Sequence, residues 1–256
     1  MRLAFLGTSA AIPSPWRDTT ALVFEVVPEL VLVDCGGSPV QKLRRLGLDP
    51  LRLTRIVITH THPDHAYGLP ALVQNLILLG RRAPLPIHCR AEHVETLRGL
   101  LGLFRLLDRE DAFPVPLHGV EPRAGRRLLE TGALTLTASP NAHGAMPNLA
   151  LRLEGDGAVV VYSSDTRPCE AVVELARGAD LLIHEATFAE RDRERAGWHS
   201  TAREAGEVAR AAGVGRLLLA HVDAPYHEDL AALAAEARRV FPGEVEVAEE
   251  LRWYTP

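Results

Sequence analysis

The sequence has almost no lysine: of its 28 basic residues only Lys42 is one, and the rest are arginine. Cysteine is scarce too. Cys35, Cys89 and Cys169 form an odd count without CxxC spacing, which argues against a disulfide framework or a cysteine zinc ribbon and fits a reduced, cytoplasmic setting. No stretch approaches the roughly 18 consecutive apolar residues of a membrane span, so no membrane partner is expected. The apolar start Arg2–Leu6 is soon interrupted by Gly7, Pro13 and Pro15 and reads as a first strand, not a leader. Excess positive charge is also missing. A net charge of −5 argues against nucleic-acid binding by the whole surface and leaves room only for local basic patches.

What is present is an ordinary globular composition, 256 residues with 47% hydrophobic and 24% charged, long enough to bury a core without disulfides. No linker, repeat or low-complexity tract divides it, so one domain spanning residues 1–256 is expected. Strands and helices alternate, which indicates an α/β fold. Short β-branched or apolar runs mark strands at 2–6, 21–27, 30–34, 55–59, 134–137, 158–162, 180–183, 216–220 and 244–247. Helices are expected at 69–79, 170–177 and 228–240. Another runs from the capping box Thr201-Ala202-Arg203-Glu204 to about Ala212. Residues 81–130, with an amphipathic helix near 92–107 and arginines at 81, 82, 123, 126 and 127, read as a surface excursion.

The 11 histidines are unevenly distributed. His60-Thr61-His62-Pro63-Asp64-His65 packs three imidazoles and a carboxylate into six residues directly after a strand. This is the ligand set expected for zinc. His143, Asp165 and His221 each follow a strand end, where open α/β sheets gather their ligands. Seven donors suffice for two metals if one carboxylate bridges them, and Asp165, with two oxygens, is the natural bridge. Two metals roughly 3.5–4 Å apart would hold a hydroxide and polarise a phosphoryl oxygen. His88, His93, His118, His184 and His227 read as packing or surface residues. Trp16 and Trp198 read as half-buried packing residues, with stacking on a base as the sharper alternative.

The HxHxDH pattern with its separate His, Asp and His resembles the metallo-β-lactamase superfamily. Within it the chain is most similar to the ribonuclease Z clade, which trims tRNA 3′ ends. The supporting stretches are Phe5-Leu6-Gly7-Thr8, Asp34-Cys35-Gly36, His65-Ala66-Tyr67-Gly68-Leu69-Pro70, Ser164-Asp165-Thr166-Arg167-Pro168, His184-Glu185-Ala186-Thr187-Phe188 and His199-Ser200-Thr201. The resemblance implies a four-layer αββα sandwich with two divalent ions, zinc or alternatively manganese. His60, His62 and His143 would hold one ion and Asp64, His65 and His221 the other, with Asp165 shared. It further implies that Asp64 orients the attacking hydroxide, that Glu185 and His199 protonate the leaving oxygen, and that the protein is a homodimer acting on tRNA precursors. The family's long tRNA-gripping arm has no counterpart: His143 and Asp165 are 22 positions apart, room only for two strands and a Gly155-Asp156-Gly157 turn. A hydrolase of the same fold with a small substrate, a cyclic nucleotide or an aryl phosphodiester or sulfate, therefore stands beside the tRNA reading. A non-catalytic metal-binding scaffold is the third alternative.

Overall fold

The computed structural model describes residues 1–121 and 123–256. Among the described residues, fourteen strands run in chain order as β1 (Arg2–Gly7), β2 (Ala21–Val26), β3 (Glu29–Val33), β4 (Arg55–Val57), β5 (Ile87–Arg90), β6 (Leu117–Val120), β7 (Arg126–Glu130), β8 (Thr135–Pro140), β9 (Leu149–Gly155), β10 (Ala158–Tyr162), β11 (Leu181–Glu185), β12 (Arg216–Ala220), β13 (Glu244–Val247) and β14 (Trp253–Tyr254). They form two seven-stranded sheets, in the orders β14-β1-β2-β3-β4-β5-β6 and β13-β12-β11-β10-β9-β8-β7. Each sheet is mixed. Strands β1–β3 and β7–β10 pair antiparallel, whereas β3–β6 and β10–β13 pair parallel.

The inner strands, such as β2, β3 and β12, read as nearly continuous apolar runs because both of their faces are buried. On β1, Leu3 and Phe5 face the second sheet while Ala4 and Leu6 face outward. On β12, Leu218 faces the first sheet, and Leu217 and Leu219 face the opposite way. Helices Pro39–Arg45, Leu69–Leu78 and Val94–Leu103 cover the outside of the first sheet through Leu43, Leu72, Leu76 and Leu97. Helices Glu170–Ala176, Ala202–Ala212 and Leu230–Arg238 cover the second through Val172, Ala205, Ala209 and Leu233. Three apolar cores thus separate four layers, the αββα sandwich expected from the sequence. The capping box forms as read: Glu204 N–H donates to Thr201 Oγ1 at 3.2 Å and Thr201 N–H to Glu204 Oε2 at 2.9 Å.

Two expectations need correction. The strand expected over 55–59 ends at Val57, because Thr59 N–H and Oγ1–H both donate to Asp34 Oδ1, at 2.8 and 2.9 Å, instead of continuing the ladder. Residues 81–130 are no surface excursion. They supply β5 and β6 to one sheet, helix Val94–Leu103, and the outermost strand β7 of the other. Arg81 is buried, its guanidinium donating to the carbonyls of Ala83, Leu51 and Pro84 at 2.8–3.1 Å, so it contributes no surface charge. Arg82, Arg126 and Arg127 are exposed. The single lysine is buried as well. Lys42 Nζ bridges Glu250 at 2.6 Å and Asp18 at 3.1 Å, fixing the 8–20 segment that borders the site described next.

Candidate metal centre

Every sequence-predicted ligand lies at the C-terminal edge of the strands. His60–His65 follow β4, His143 follows β8, Asp165 follows β10, and His221 follows β12. Asp34, Ser164 and His221 bend the chain out of β3, β10 and β12 with φ of 57°, 51° and 54°. This left-handed backbone is costly for a residue with a side chain and is kept where surrounding structure over-determines it. Gly36 admits the close approach of the histidine loop, since a Cβ there would stand 2.4 Å from the Asp64 carbonyl oxygen.

The donors form two groups, His60–His62–His143–Asp165 and Asp64–His65–Asp165–His221. Within each, one ligand atom per residue lies within 4.8 Å of the others. In the first, His62 Nδ1 lies 3.0 Å from His60 Nε2 and 3.1 Å from His143 Nε2. The hydrogen-bond network assigns the tautomers. His60 Nδ1–H donates to Thr59 Oγ1 at 3.2 Å, and His143 Nδ1–H donates weakly to the Trp198 carbonyl at 3.4 Å. Both Nε2 atoms then present lone pairs. Burial depresses the pKa of His60, His62 and His143, keeping them neutral. A proton on His62 Nδ1 satisfies only one of the two facing Nε2 lone pairs, whereas a shared cation takes up all three nitrogens, so the residues present fit a metal.

In the second group, Asp165 Oδ2 is 3.1 Å from His221 Nε2, and its Oδ1 is 3.3 Å from His65 Nε2. Asp64 Oδ2 is 3.4 Å from His221 and 3.5 Å from His65. Asp165 Oδ2 also reaches to 3.8 Å from His60 and 3.9 Å from His143, so this carboxylate belongs to both groups. Burial works against its charge, but the facing His221 and His65 hold its pKa well below the carboxylate range. Burial would likewise lower the pKa of His221 and His65, yet Asp165 outweighs it; His221 is pushed up to about 10. A dication displaces those protons and takes up the same negative charge. His65 Nε2 and Asp165 Oδ1 are buried without a hydrogen-bond partner, again as coordinating atoms would be.

Sequence reasoning missed the residues that orient these ligands. Asp34 accepts from His65 Nδ1–H at 2.8 Å. Thr187 Oγ1 donates to Glu185 Oε2 at 2.7 Å and accepts from His221 Nδ1–H at 2.9 Å. Both bonds leave Nε2 free to ligate, as such outer partners do. His93, read as a packing residue, bridges Thr61 Oγ1 at 3.1 Å to the Pro147 carbonyl at 2.6 Å, tying the histidine loop to the loop bearing His143. Asp34 and Thr187 carried a signal, since they stand in the Asp34-Cys35-Gly36 and His184-Glu185-Ala186-Thr187-Phe188 stretches; His93 carried none.

Beside the second group, His199 Nδ1 lies 2.9 Å from Glu185 Oε1. Glu185 is buried, and both of its oxygens are occupied. Oε1 also accepts from Thr166 N–H at 2.7 Å, and Oε2 from Ser200 N–H at 3.0 Å and from Thr187. Burial lowers the His199 pKa, but the Glu185 carboxylate more than compensates and raises it. Glu185, His199 and His221 have metal-compatible spacing, but a carboxylate with this many donors is poorly placed to ligate. A cleft of about 390 Å³ opens over the site, lined by Ala10, Ile12, His62, Asp64, Phe188 and His199.

Residues 29–222 match the family described as the beta-lactamase superfamily domain. A ribonuclease Z from Methanothermobacter thermautotrophicus is 36% identical over an alignment of 294 residues, covering 98% of this chain and 95% of the relative. Because that alignment is longer than the 256-residue chain, the relative carries sequence that this chain lacks. Among solved structures, the metallo-beta-lactamase fold protein YhfI from Bacillus subtilis superposes with a TM-score of 0.82 at 26% identity, covering 99% of this chain and 98% of the other. The short form of human tRNase Z gives 0.81 at 27%, covering 100% and 99%. No helix among the described residues is long and apolar enough to cross a membrane. With its donors gathered on the shared edge of two sheets and its relatives alike along nearly their whole length, the chain belongs to the beta-lactamase superfamily and, within it, to the ribonuclease Z family.

Proposed function

We propose that the chain is a single-domain, two-zinc phosphodiesterase that removes 3′ trailers from tRNA precursors. The observation that carries this reading is the convergence of six ligand-type side chains on a seventh, Asp165, with the Glu185–His199 pair alongside. Manganese would suit the same donors. Bound metal supplies Lewis acidity toward the phosphoryl oxygen and a more acidic water. The remaining work falls to the protein. His60, His62 and His143 would hold one ion and Asp64, His65 and His221 the other, with Asp165 between them. Asp64, on the cleft wall, accepts a hydrogen bond from the nucleophile and orients it. Glu185 holds His199 by Nδ1, which leaves Nε2 to give its proton to the departing 3′-oxygen. A sugar alkoxide needs that proton, and an imidazole raised by a carboxylate carries it near neutral pH. A homodimer is part of this reading by family likeness, and three free thiols accord with a reducing cytoplasm.

A second reading, hydrolysis of a small phosphodiester, draws on one observation. The connection from His143 to Asp165 is filled by β9, a tight turn and β10, where the tRNA-gripping arm would otherwise emerge. Incubating the purified protein with an unprocessed tRNA and a panel of small diesters, with and without chelator, separates the two. Chelator-sensitive trailer removal is expected. Turnover of the small diesters alone would replace the tRNA reading with the second one.

A further inference from the structure

We propose that Trp198 is the stacking platform for the nucleobase flanking the scissile phosphate, an inference that rests on the phosphodiesterase reading. Trp198 immediately precedes His199, and its carbonyl accepts from His143 Nδ1–H, so its backbone joins a metal ligand to the acid pair. Its indole is seated on Gly144. A Cβ at that position would stand 2.3 Å from indole Cδ2 and 2.6 Å from Cε2 and Cε3, and Gly144 has φ +59°. Only a bare backbone lets the ring lie so close. Yet Trp198 remains 57% exposed. One side is therefore pinned while much of the ring is open to solvent, at the edge where the half-buried rings of His62 and His199 also reach the surface.

A packing residue would bury its ring, and a protein-docking surface would extend beyond one tryptophan. The neighbouring cleft, which His199 lines, has only a small apolar part, chiefly Ile12 and Phe188. The floor beside them is a donor set for metals, which recognises phosphate. A nucleotide supplies both a phosphate for that floor and a planar base for an aromatic ring one residue from the cleft-lining His199; an aryl phosphate shares this chemistry, and the proposed tRNA substrate selects the nucleotide. Base stacking tolerates any sequence, which suits a protein of net charge −5 whose Arg81 is buried in carbonyl contacts.

The test compares adenosine 5′-monophosphate with ribose 5-phosphate as competitors for the metal-loaded protein. The parent should bind the nucleotide roughly 5- to 150-fold more tightly, the range for one stacked base. Trp198→Ala should erase the difference without weakening ribose 5-phosphate, and Trp198→Phe should keep most of it. In a Trp16→Phe/Trp253→Phe protein, Trp198 is the remaining tryptophan. Its fluorescence should be quenched by the nucleotide and not by the sugar phosphate, a readout that does not require Trp198→Ala to fold. Equal affinity of the parent for both competitors, equal loss of both in Trp198→Ala, or no selective quenching overturns the platform. These are binding measurements. A protein that passes them but cleaves no diester keeps Trp198 as a base-stacking residue and loses the enzymatic reading; one that cleaves diesters and fails them loses only the platform.

Discussion

The two donor groups that meet at Asp165 are built differently. The first offers three imidazoles and only the shared carboxylate. Its rings are braced by neutral partners, the Thr59 hydroxyl and the Trp198 carbonyl, and His62 is half exposed. The second offers two carboxylates and two imidazoles, all buried, braced by the Asp34 carboxylate and by Thr187. Buried negative charge raises the pKa of His65 and His221, whereas burial lowers those of His60, His62 and His143. The same ring thus has opposite proton affinity a few ångströms away, because the neighbouring charge differs. A dication should be held more tightly in the carboxylate-rich group and exchange more readily from the imidazole-rich one.

The largest expected effect comes from removing what the groups share. Asp165→Ala should strip metal from both and abolish turnover, read by metal analysis of gently purified protein. Retention of one full equivalent would mean that the groups are independent.

His199→Ala probes the neighbourhood of the second group while leaving both sets of ligands intact. Metal content should stay at the parent level, and the rate should fall roughly 10²–10⁴-fold for a sugar leaving group. An activated aryl ester should suffer less. Equal losses on both substrates would remove His199 from leaving-group protonation.

Asp34→Asn sharpens the contrast by weakening the second group most, because Asp34 accepts directly from His65 Nδ1–H and reaches the first group only through the Thr59 hydroxyl that braces His60. The second group's metal should bind roughly 10–100-fold more weakly, seen as a shift of the tighter step in a chelator titration. A shift confined to the weaker step would reverse the assignment.

The smallest effect is expected from His93→Ala, which loosens the link between Thr61 and Pro147 and hence the first group alone. Its metal affinity should fall less than roughly tenfold, and a loss from the tighter step would contradict the account.

Much of this centre could be read from sequence because each ligand follows a strand with a visible pattern, apolar runs before His60, Asp165 and His221 and an alternating Leu134-Thr135-Leu136-Thr137 before His143. The distance between Thr59 and His60 on one side and Ala220 and His221 on the other is erased by the sandwich, and the strand ends say where the side chains gather. The bracing residues were not legible in the same way. Thr187 and His93 are ordinary residues until tertiary contacts give them a partner 34 or 54 positions away. Residues 81–130 misled for a related reason. Strands of four and five residues, at sheet edges and half exposed, leave little periodicity, and Arg81 looks like surface charge although three backbone carbonyls bury it.

The most direct test of the shared centre is a metal-loaded crystal structure with anomalous scattering from the bound ion. The account predicts two peaks about 3.5–4 Å apart, one against His60, His62 and His143, the other against Asp64, His65 and His221, with Asp165 touching both. A single peak, or one seated between Glu185, His199 and His221, would contradict it.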